Sequence, residues 1–304
     1  SLIESFFFFL VTALGVDFTD SNLNSKYVQA LELVLTTIVE RFVKIWLHSR
    51  KTFAWSNLKK KQDACLSIDT KVLCNRFDIN NDSPNAFNPF IDLLLELSFE
   101  KEVLTDKEIR DHVDTILFGG HETTANVLMF TMTLLGSYPE VQEKAFVEIQ
   151  EVLGENRDVE KADLTRLLYL EAVLKESMRL FTVVPIIARR LKKELKLKNC
   201  TLSADMTCII FLFGIHKHPI WGQDVNEFKP ERWLAPDCPK AFAAFGFGKR
   251  NCIGKTYAMM SMKTTLAHVV RRYRIEADHT KLQLMTSAVL KSVAGHHISI
   301  KKRN

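Results

Sequence analysis

The chain has 304 residues, 47% of them hydrophobic and 25% charged, with few glycines and prolines, and this composition indicates a globular protein rich in helix. Its formal net charge of +5 is a mild excess that does not indicate nucleic-acid binding. The 6 cysteines include no Cys-x-x-Cys pair, which argues against a zinc site or a disulfide scaffold and fits a reducing compartment.

The N-terminal third predicts helices rather than a membrane anchor. The apolar run Phe6–Leu14 is shorter than the ~20 residues of a membrane span and lacks the basic start of a signal peptide. We therefore expect a buried helix over residues 5–16, and no anchor or targeting signal in the chain as given. Apolar residues at helical spacing predict a long amphipathic helix over residues 25–48.

A long core helix is predicted in the middle of the chain. A short apolar helix is expected over Phe90–Ser98, and Thr105 with Glu108 forms a capping box that opens the next helix. That helix should run to about Ser137, where Tyr138-Pro139 ends it. It is apolar nearly all round from Val113 to Leu135, so we expect it to lie in the core.

The middle of this helix reads Gly119-Gly120-His121-Glu122-Thr123-Thr124. Two glycines within a helix cost roughly 1 kcal/mol each relative to alanine, but they let a flat ligand approach the backbone. The threonine hydroxyls can bond to carbonyls one turn back. A buried carboxylate beside hydroxyls is typical of a proton path, and a glycine pair that serves helix packing is the alternative.

Further helices and short strands follow. Helices are predicted from Pro139 to Gly154 and over Leu167–Phe181. Glu176 and Arg179, three residues apart, share a face of the second helix. Alternating residues over 183–212 predict a small sheet, and Lys291–Lys302 is interpreted as a hairpin that turns at Ala294-Gly295.

The segment Phe245–Gly254 carries the strongest chemical signal. Glycines on both sides of Cys252 allow a tight turn and the close approach of a large group, and Arg250 supplies a positive charge beside the thiol. A helical run, Ile253–Tyr273, follows directly. A thiol near cations and a helix N-terminus is biased towards the thiolate, which is the form that binds metals. The alternative is a buried structural cysteine.

Four motifs in order resemble those of the cytochrome P450 family. The spacing Phe245-x-x-Gly248-x-Arg250-x-Cys252-x-Gly254 resembles its haem-binding signature, and Gly119–Thr124 its oxygen-activating motif. Glu176-x-x-Arg179 and Phe228–Trp233 resemble its Glu-x-x-Arg pair and its Pro-Glu-Arg-Phe segment. Other details are most similar to the animal family 4 clan, insect members included.

The resemblance implies a single haem-binding domain over residues 1–304, mainly α with a small β portion, that lacks the family's anchor and first helices. It implies haem b, with Cys252 as the axial thiolate ligand of the iron. Glu176, Arg179 and Arg232 are implied as a structural network beneath the haem. Arg189 is the expected partner of a haem propionate, although Arg190 is an equal candidate from the sequence. The implied cofactor-binding residues are Phe245, Gly248, Arg250, Cys252, Gly254, Arg189 and Gly120.

The implied activity is a monooxygenase that inserts one oxygen atom of O2 into a lipophilic substrate such as a fatty acid, steroid, terpenoid or xenobiotic. Glu122 and Thr123 would relay protons. The candidate substrate contacts are Val113, Leu117, Val183, Val184, Val293 and Ala294. Two positions depart from the family: Thr182 stands where proline is usual, and Gly119 stands where many family 4 relatives carry a glutamate that bonds to the haem, so no such ester is expected.

Electrons are expected from an NADPH-dependent cytochrome reductase, with cytochrome b5 as a further partner, at the cytosolic face of the endoplasmic reticulum membrane. Lys249, Lys255, Lys263, Arg271 and Arg272 form either a basic face for the reductase or ordinary solvated charge. Two other functions stay open. One is a haem-thiolate isomerase or dehydratase that needs no O2, and the other is a non-catalytic truncated haem-protein fragment.

Overall fold

The computed structural model describes residue 60, residues 90–101 and residues 104–303. The chain divides into two compact units, Ser1–Ala125 and Asn126–Asn304. The helices predicted over residues 5–16 and 25–48 lie outside the described residues. The described part contains helices and short two-stranded sheets, which confirms the predicted mainly α fold with a small β portion.

In the first unit, the described part begins with helix α1 (Phe90–Lys101), three residues longer than predicted. The capping box ahead of the next helix is present. Thr105 donates to Glu108 Oε2 from both its backbone nitrogen (2.9 Å) and its hydroxyl (2.8 Å), and Glu108 N donates to Thr105 Oγ1 (3.3 Å). These bonds, the backbone one first, lower the pKa of Glu108. The reciprocal pairing accounts for the start of the helix.

Helix α2 (Asp106–Ser137) has 32 residues and is about 48 Å long. Its burial is uneven: Phe130, Leu134 and Leu135 are almost fully buried, whereas Thr115 and Gly119 are exposed. The prediction of a helix buried nearly all round therefore holds for its C-terminal half only. Among the residues that the structure describes, no helix is both long and apolar enough to span a membrane.

Three helices pack together in the second unit: α3 (Pro139–Leu153), α4 (Leu168–Leu180) and, later in the chain, α6 (Lys255–Arg272). Helix α3 begins at Pro139 and is followed by Gly154 at φ +66°, as the sequence predicts. Helix α6 begins two residues later than expected. Buried leucines dominate the shared core, among them Leu134, Leu135, Leu164, Leu167, Leu170, Leu174 and Leu266.

Gln142 of α3 is a buried polar link in this core. Its Nε2 donates to Leu135 O (2.8 Å) and Ile275 O (2.9 Å), and its Oε1 accepts from Ile275 N (2.8 Å). Three bonds satisfy a side chain that is only 1% exposed, so its burial carries no unpaired polar group.

Four two-stranded antiparallel sheets complete the described part, and a short helix α5 (Leu212–His216) follows the fourth strand. The pairs are β1 (Ile186–Arg190) with β4 (Thr207–Phe211), β2 (Leu195–Lys196) with β3 (Thr201–Leu202), β5 (Tyr273–Ala277) with β8 (Ile298–Lys302), and β6 (Leu284–Thr286) with β7 (Leu290–Ser292). The first two pairs confirm the sheet predicted over residues 183–212.

The predicted hairpin over Lys291–Lys302 is wrong. A turn does occur at Gly295, which has φ +77°, but the strands on either side of it pair elsewhere. Strand β7 pairs with β6, and β8 pairs with β5 at the end of helix α6. The alternating sequence pattern predicts both strands, but it does not determine which strand each of them pairs with.

Candidate haem-thiolate site

The loop that carries Cys252 is held by backbone bonds and by two glycines in left-handed conformations. Gly246 has φ +69° and Gly248 has φ +71°, a region that side chains disfavour. Gly246 N donates to Ala243 O (2.8 Å), and Cys252 N donates to Phe245 O (2.8 Å). The second bond closes the loop on itself, so the position of the cysteine follows from that of Phe245.

The thiol of Cys252 is free and exposed, and the surface around it is apolar and positively charged. Ile253 is 92% exposed and Phe247 53% exposed. Lys249 and Arg250 are exposed in the turn before the cysteine, and Lys255 Nζ lies 5.9 Å from the centre of the Phe245 ring. The exposure of Cys252 argues against the alternative of a buried structural cysteine.

This donor set fits an iron porphyrin better than a metal centre built by the protein. Across the described ranges, no three His, Cys, Asp or Glu side chains are grouped to hold a metal ion. Cys252 would therefore supply a single soft ligand and leave the other positions to the cofactor. A Cβ built on Gly248 meets nothing within 4 Å, so the loop has open space at this point.

The structure separates the two arginines that the sequence left equal. Arg189 Nη2 donates to Arg250 O (3.1 Å), and its Nη1 donates to Ala188 O (2.8 Å), so this guanidinium lies against the cysteine loop. Arg190 points to the other face of strand β1 and pairs with Asp205 (3.2 Å). Alternate residues of a strand face opposite ways, which explains the difference. Of these two arginines, Arg189 is the one that contacts the cysteine loop.

Glu176 is the centre of a buried network. Arg179 donates to it twice, from Nε to Oε2 and from Nη2 to Oε1, both at 2.8 Å, and Arg232 Nε donates to Oε1 (2.8 Å). Glu176 and Arg179 are fully buried, and the Arg232 side chain is 8% exposed. The three residues that the sequence singled out are thus brought together, and they join helix α4 to the Pro230–Trp233 turn.

Two members of the network were missed from the sequence. Trp233 Nε1 donates to Glu176 Oε2 (2.9 Å), and Arg232 Nη1 donates to Asp224 Oδ1 (3.2 Å). Hydrogen bonds from Lys229, then from Arg232, lower the pKa of Asp224. The usable signal was the position of Trp233, directly after Arg232, where an indole N–H needs a buried acceptor.

The Gly119–Thr124 motif lies in the first unit. Thr123 Oγ1 donates to Gly119 O (2.7 Å), the bond to the preceding turn that the sequence suggested. Glu122 is buried, and Thr123 and Gly120 are partly buried. A Cβ on Gly119 meets nothing within 4 Å. Among the described residues, nothing therefore packs closely against the backbone at Gly119.

The candidate substrate contacts differ in their surroundings. Val183 is buried in the core of the second unit, where its carbonyl accepts from Leu290 N (2.7 Å), and Val184 packs against this core. Val293 is 60% exposed and Ala294 is exposed. Val113 is buried in the first unit, and the side chain of Leu117 lies outside the description. Val183 therefore serves core packing, and Val293 and Ala294 have free surface.

The basic face predicted from the sequence contains fewer exposed cations than expected. Lys263 and Arg271 are buried and bonded, Lys263 to Leu164 O (2.7 Å) and to Glu171, and Arg271 to Arg157 O (2.7 Å). Both cations tie helix α6 to the segment before helix α4. The sequence did not show that these two cations are buried, because residues on different faces of one helix contact different neighbours. The exposed cations of this face that remain are Lys249, Lys255 and Arg272.

Comparison with known proteins identifies the family. The chain matches the sequence model described as Cytochrome P450 over residues 6–297. Cytochrome P450 4c3 of Drosophila melanogaster is 30% identical over 321 residues, which cover 94% of this chain and 59% of that protein. Cytochrome P450 4V2 of Homo sapiens is 31% identical over 319 residues, which cover 96% and 61%. The Mus musculus Cytochrome P450 4V2 is 36% identical over 230 residues, covering 73% and 44%.

The chain spans about three fifths of the length of the first two relatives. The match nevertheless extends over nearly all of its own residues and includes the cysteine loop, the Glu176 network and the Gly119–Thr124 motif. The chain belongs to the cytochrome P450 family, and this membership implies a haem cofactor whose iron is ligated by a cysteine thiolate.

Proposed function

We propose that this chain is the haem-binding part of a haem-thiolate monooxygenase, with Cys252 as the axial ligand. The observation that carries the proposal is the free, exposed thiol of Cys252 in a loop closed by its own backbone bond to Phe245. The other free cysteines of the described part, Cys200, Cys208 and Cys238, lack this setting: none is flanked by left-handed glycines.

The residues around Cys252 have distinct roles in binding. Phe247 and Ile253 offer apolar surface to a flat macrocycle, and the left-handed glycines keep side chains out of its way. Arg189 and Arg250 neutralise the cofactor's carboxylates, and Lys249 and Lys255 add positive charge to the surface around the loop. Phe245, Gly248 and Gly254 shape the loop.

The bound haem supplies the activation of O2, which a thiolate ligand assists by donating electron density. The chain's own task is then to manage protons. Thr123 Oγ1 donates its proton to Gly119 O, so its lone pairs stay available to accept a hydrogen bond from water. Glu122, a buried carboxylate in the same helix, would hold the proton that this water passes on.

The substrate is proposed to be lipophilic, as a fatty acid, steroid, terpenoid or xenobiotic is. Val113, Leu117, Val184, Val293 and Ala294 are the candidate contacts, and all of them are apolar. Burial of apolar surface would supply most of the binding free energy.

The proposed electron donor is an NADPH-dependent cytochrome reductase, with cytochrome b5 as a second partner, at the endoplasmic reticulum membrane. Lys249, Lys255 and Arg272 are exposed cations that suit an acidic partner. Reduction rates that fall steeply with rising salt support this docking mode, and salt-independent rates argue against it.

The reduced carbon monoxide difference spectrum of the haem-loaded chain tests the proposal. We expect a thiolate-type Soret band in the wild-type protein and its loss in Cys252→Ala. Cys238→Ala is the matched control, because Cys238 is a partly buried cysteine of the same unit, and it should retain the band. A band that survives Cys252→Ala, or the failure of the wild-type chain to bind haem, would refute the assignment.

A further inference from the structure

His216, at the end of helix α5, is a fully buried imidazole with both ring nitrogens bonded. Its Nε2 accepts from Ala243 N (2.8 Å), and its Nδ1 lies 2.7 Å from Thr182 Oγ1. Its own carbonyl accepts from Arg179 Nη1 (3.1 Å). The residue thus connects the Glu176 network to the segment that precedes the cysteine loop.

The contacts define the tautomer of His216. A backbone N–H can only donate, so Nε2 must carry a lone pair, and the proton must sit on Nδ1. Nδ1–H then donates to Thr182 Oγ1, whose own proton is directed to Arg179 O (3.3 Å). Burial, together with the charges of Arg179 and Lys217, lowers the pKa of His216 to about 4, so the ring is neutral near pH 7.

Ala243 passes this constraint to Cys252. Its N–H is held by His216, and its carbonyl accepts from Gly246 N (2.8 Å) at the first left-handed glycine. The Phe242 ring stacks on the His216 ring, with 5.6 Å between the ring centres. It also meets the Phe245 ring edge to face, with 6.4 Å between the ring centres. Phe245 O in turn accepts from Cys252 N. An unbroken chain of contacts therefore runs from helix α4 through His216 to the cysteine.

We propose that His216 is a positioning residue for Cys252. Its neutral ring accepts a hydrogen bond from the Ala243 N–H and so fixes the Phe242–Phe245 segment, to which the backbone of the cysteine loop is hydrogen-bonded. Thr182 supports the ring by accepting from Nδ1. The statement about sulfur ligation rests on the proposed function, whereas the hold on Ala243 is a property of the chain alone.

Two variants of His216 separate ring packing from hydrogen bonding. His216→Phe keeps a planar ring against Phe242 but leaves the Ala243 N–H unpaired. His216→Gln restores an acceptor near the position of Nε2. Gln142→Leu serves as the control for general destabilisation. It removes three buried hydrogen bonds, against two for His216→Phe, and its partners are Leu135 and Ile275.

The first measurement is hydrogen exchange of the Ala243 amide in the chain without haem, referred to the amides of helix α4. We expect exchange on the order of tenfold faster in His216→Phe, because the loss of a buried bond costs about that factor. His216→Gln should stay near the wild-type rate, and Gln142→Leu should not change the ratio. An unchanged ratio in His216→Phe, or an equal change in Gln142→Leu, would overturn the hold on Ala243.

The second measurement is the thiolate-type fraction of the reduced carbon monoxide spectrum at equal haem content. It should fall in His216→Phe, recover in His216→Gln and stay unchanged in Gln142→Leu. Faster Ala243 exchange with an unchanged spectrum would refute the positioning of Cys252. If the wild-type chain itself shows no thiolate band, the proposed function fails, and the exchange data alone decide whether His216 holds the loop.

Discussion

Replacing Glu176 with glutamine should destabilise the protein strongly, although the side chain keeps its shape. Glu176 accepts from Arg179, Arg232 and Trp233, and also from Lys229 N (3.1 Å). An amide offers one acceptor oxygen and turns an N–H2 group towards donors. Glu176→Gln therefore removes the carboxylate that pairs with the buried Arg179, whereas Arg232 keeps its ion pair with Asp224.

The loss in the free energy of unfolding depends on the hydrogen bonds that each guanidinium group keeps in the variant. Removal of one partner from a buried ion pair costs about 3–5 kcal/mol. Arg179 keeps the carbonyls of His216, Val225 and Glu227. Arg232 keeps the carbonyls of Trp221 and Asp224 and the Asp224 carboxylate. These carbonyls solvate the charges in part, so we expect the lower end, about 3 kcal/mol. Against a total stability of about 5–15 kcal/mol, this is a fifth or more.

Chemical denaturation followed by circular dichroism measures the change in the free energy of unfolding. Glu276→Gln is the matched control, because Glu276 pairs with Lys301 at 2.7 Å and both side chains are about half exposed or more. That exposed pair should contribute roughly 0–1 kcal/mol and weaken with salt. A loss of less than about 1 kcal/mol in Glu176→Gln, or a loss no larger than in Glu276→Gln, would refute the reasoning.

Three further predictions follow from particular residues. Alanine at Gly248, where φ is +71°, should destabilise the protein by about 1–2 kcal/mol. Alanine at Gly119, an exposed helical site, should stabilise it by about 0.5–1 kcal/mol. Thermal melts in which the two variants shift the melting temperature in the same direction would contradict this. Hydrogen bonds from Arg157 lower the pKa of Asp163 from 3.8 to about 2, so this carboxylate adds stability above about pH 4 that is lost as pH falls towards 2. Asp163→Asn should flatten acid denaturation in that window, and an unchanged acid profile would count against the pairing. Thr123→Ala should uncouple electron use from product and release peroxide, and full turnover without a reductase would instead favour an isomerase or dehydratase.

The helices were largely predictable because their signals are local. The capping box at Thr105, Pro139 at the start of α3 and Gly154 at its end place helix boundaries within one or two residues of those observed. The burial of α2 was predicted less well. An apolar residue can be helical without being covered, and the cover depends on which elements pack against it.

The motifs of the candidate site could be predicted from the sequence, but several of their hydrogen-bond partners could not. The motifs around Cys252 and Glu176 stand out because chemistry demands particular residue types at fixed spacing. Their partners were harder to find, since Trp233 and Asp224 approach Glu176 and Arg232 through the fold. The role of His216 was missed altogether, because a single histidine in a sequence carries no sign of its hydrogen-bond partners.

The sequence alone determined the helical class, the cysteine loop and the acid–arginine pair on one helix face, because backbone periodicity and capping act over a few residues. The tertiary structure decided which arginine meets the loop, which cations are buried, and which strands pair around Gly295. These outcomes depend on contacts between residues that can be more than 100 positions apart, such as Arg271 with Arg157. Such contacts are selected by packing and by the cost of leaving buried polar groups unpaired, and neither is written into local spacing.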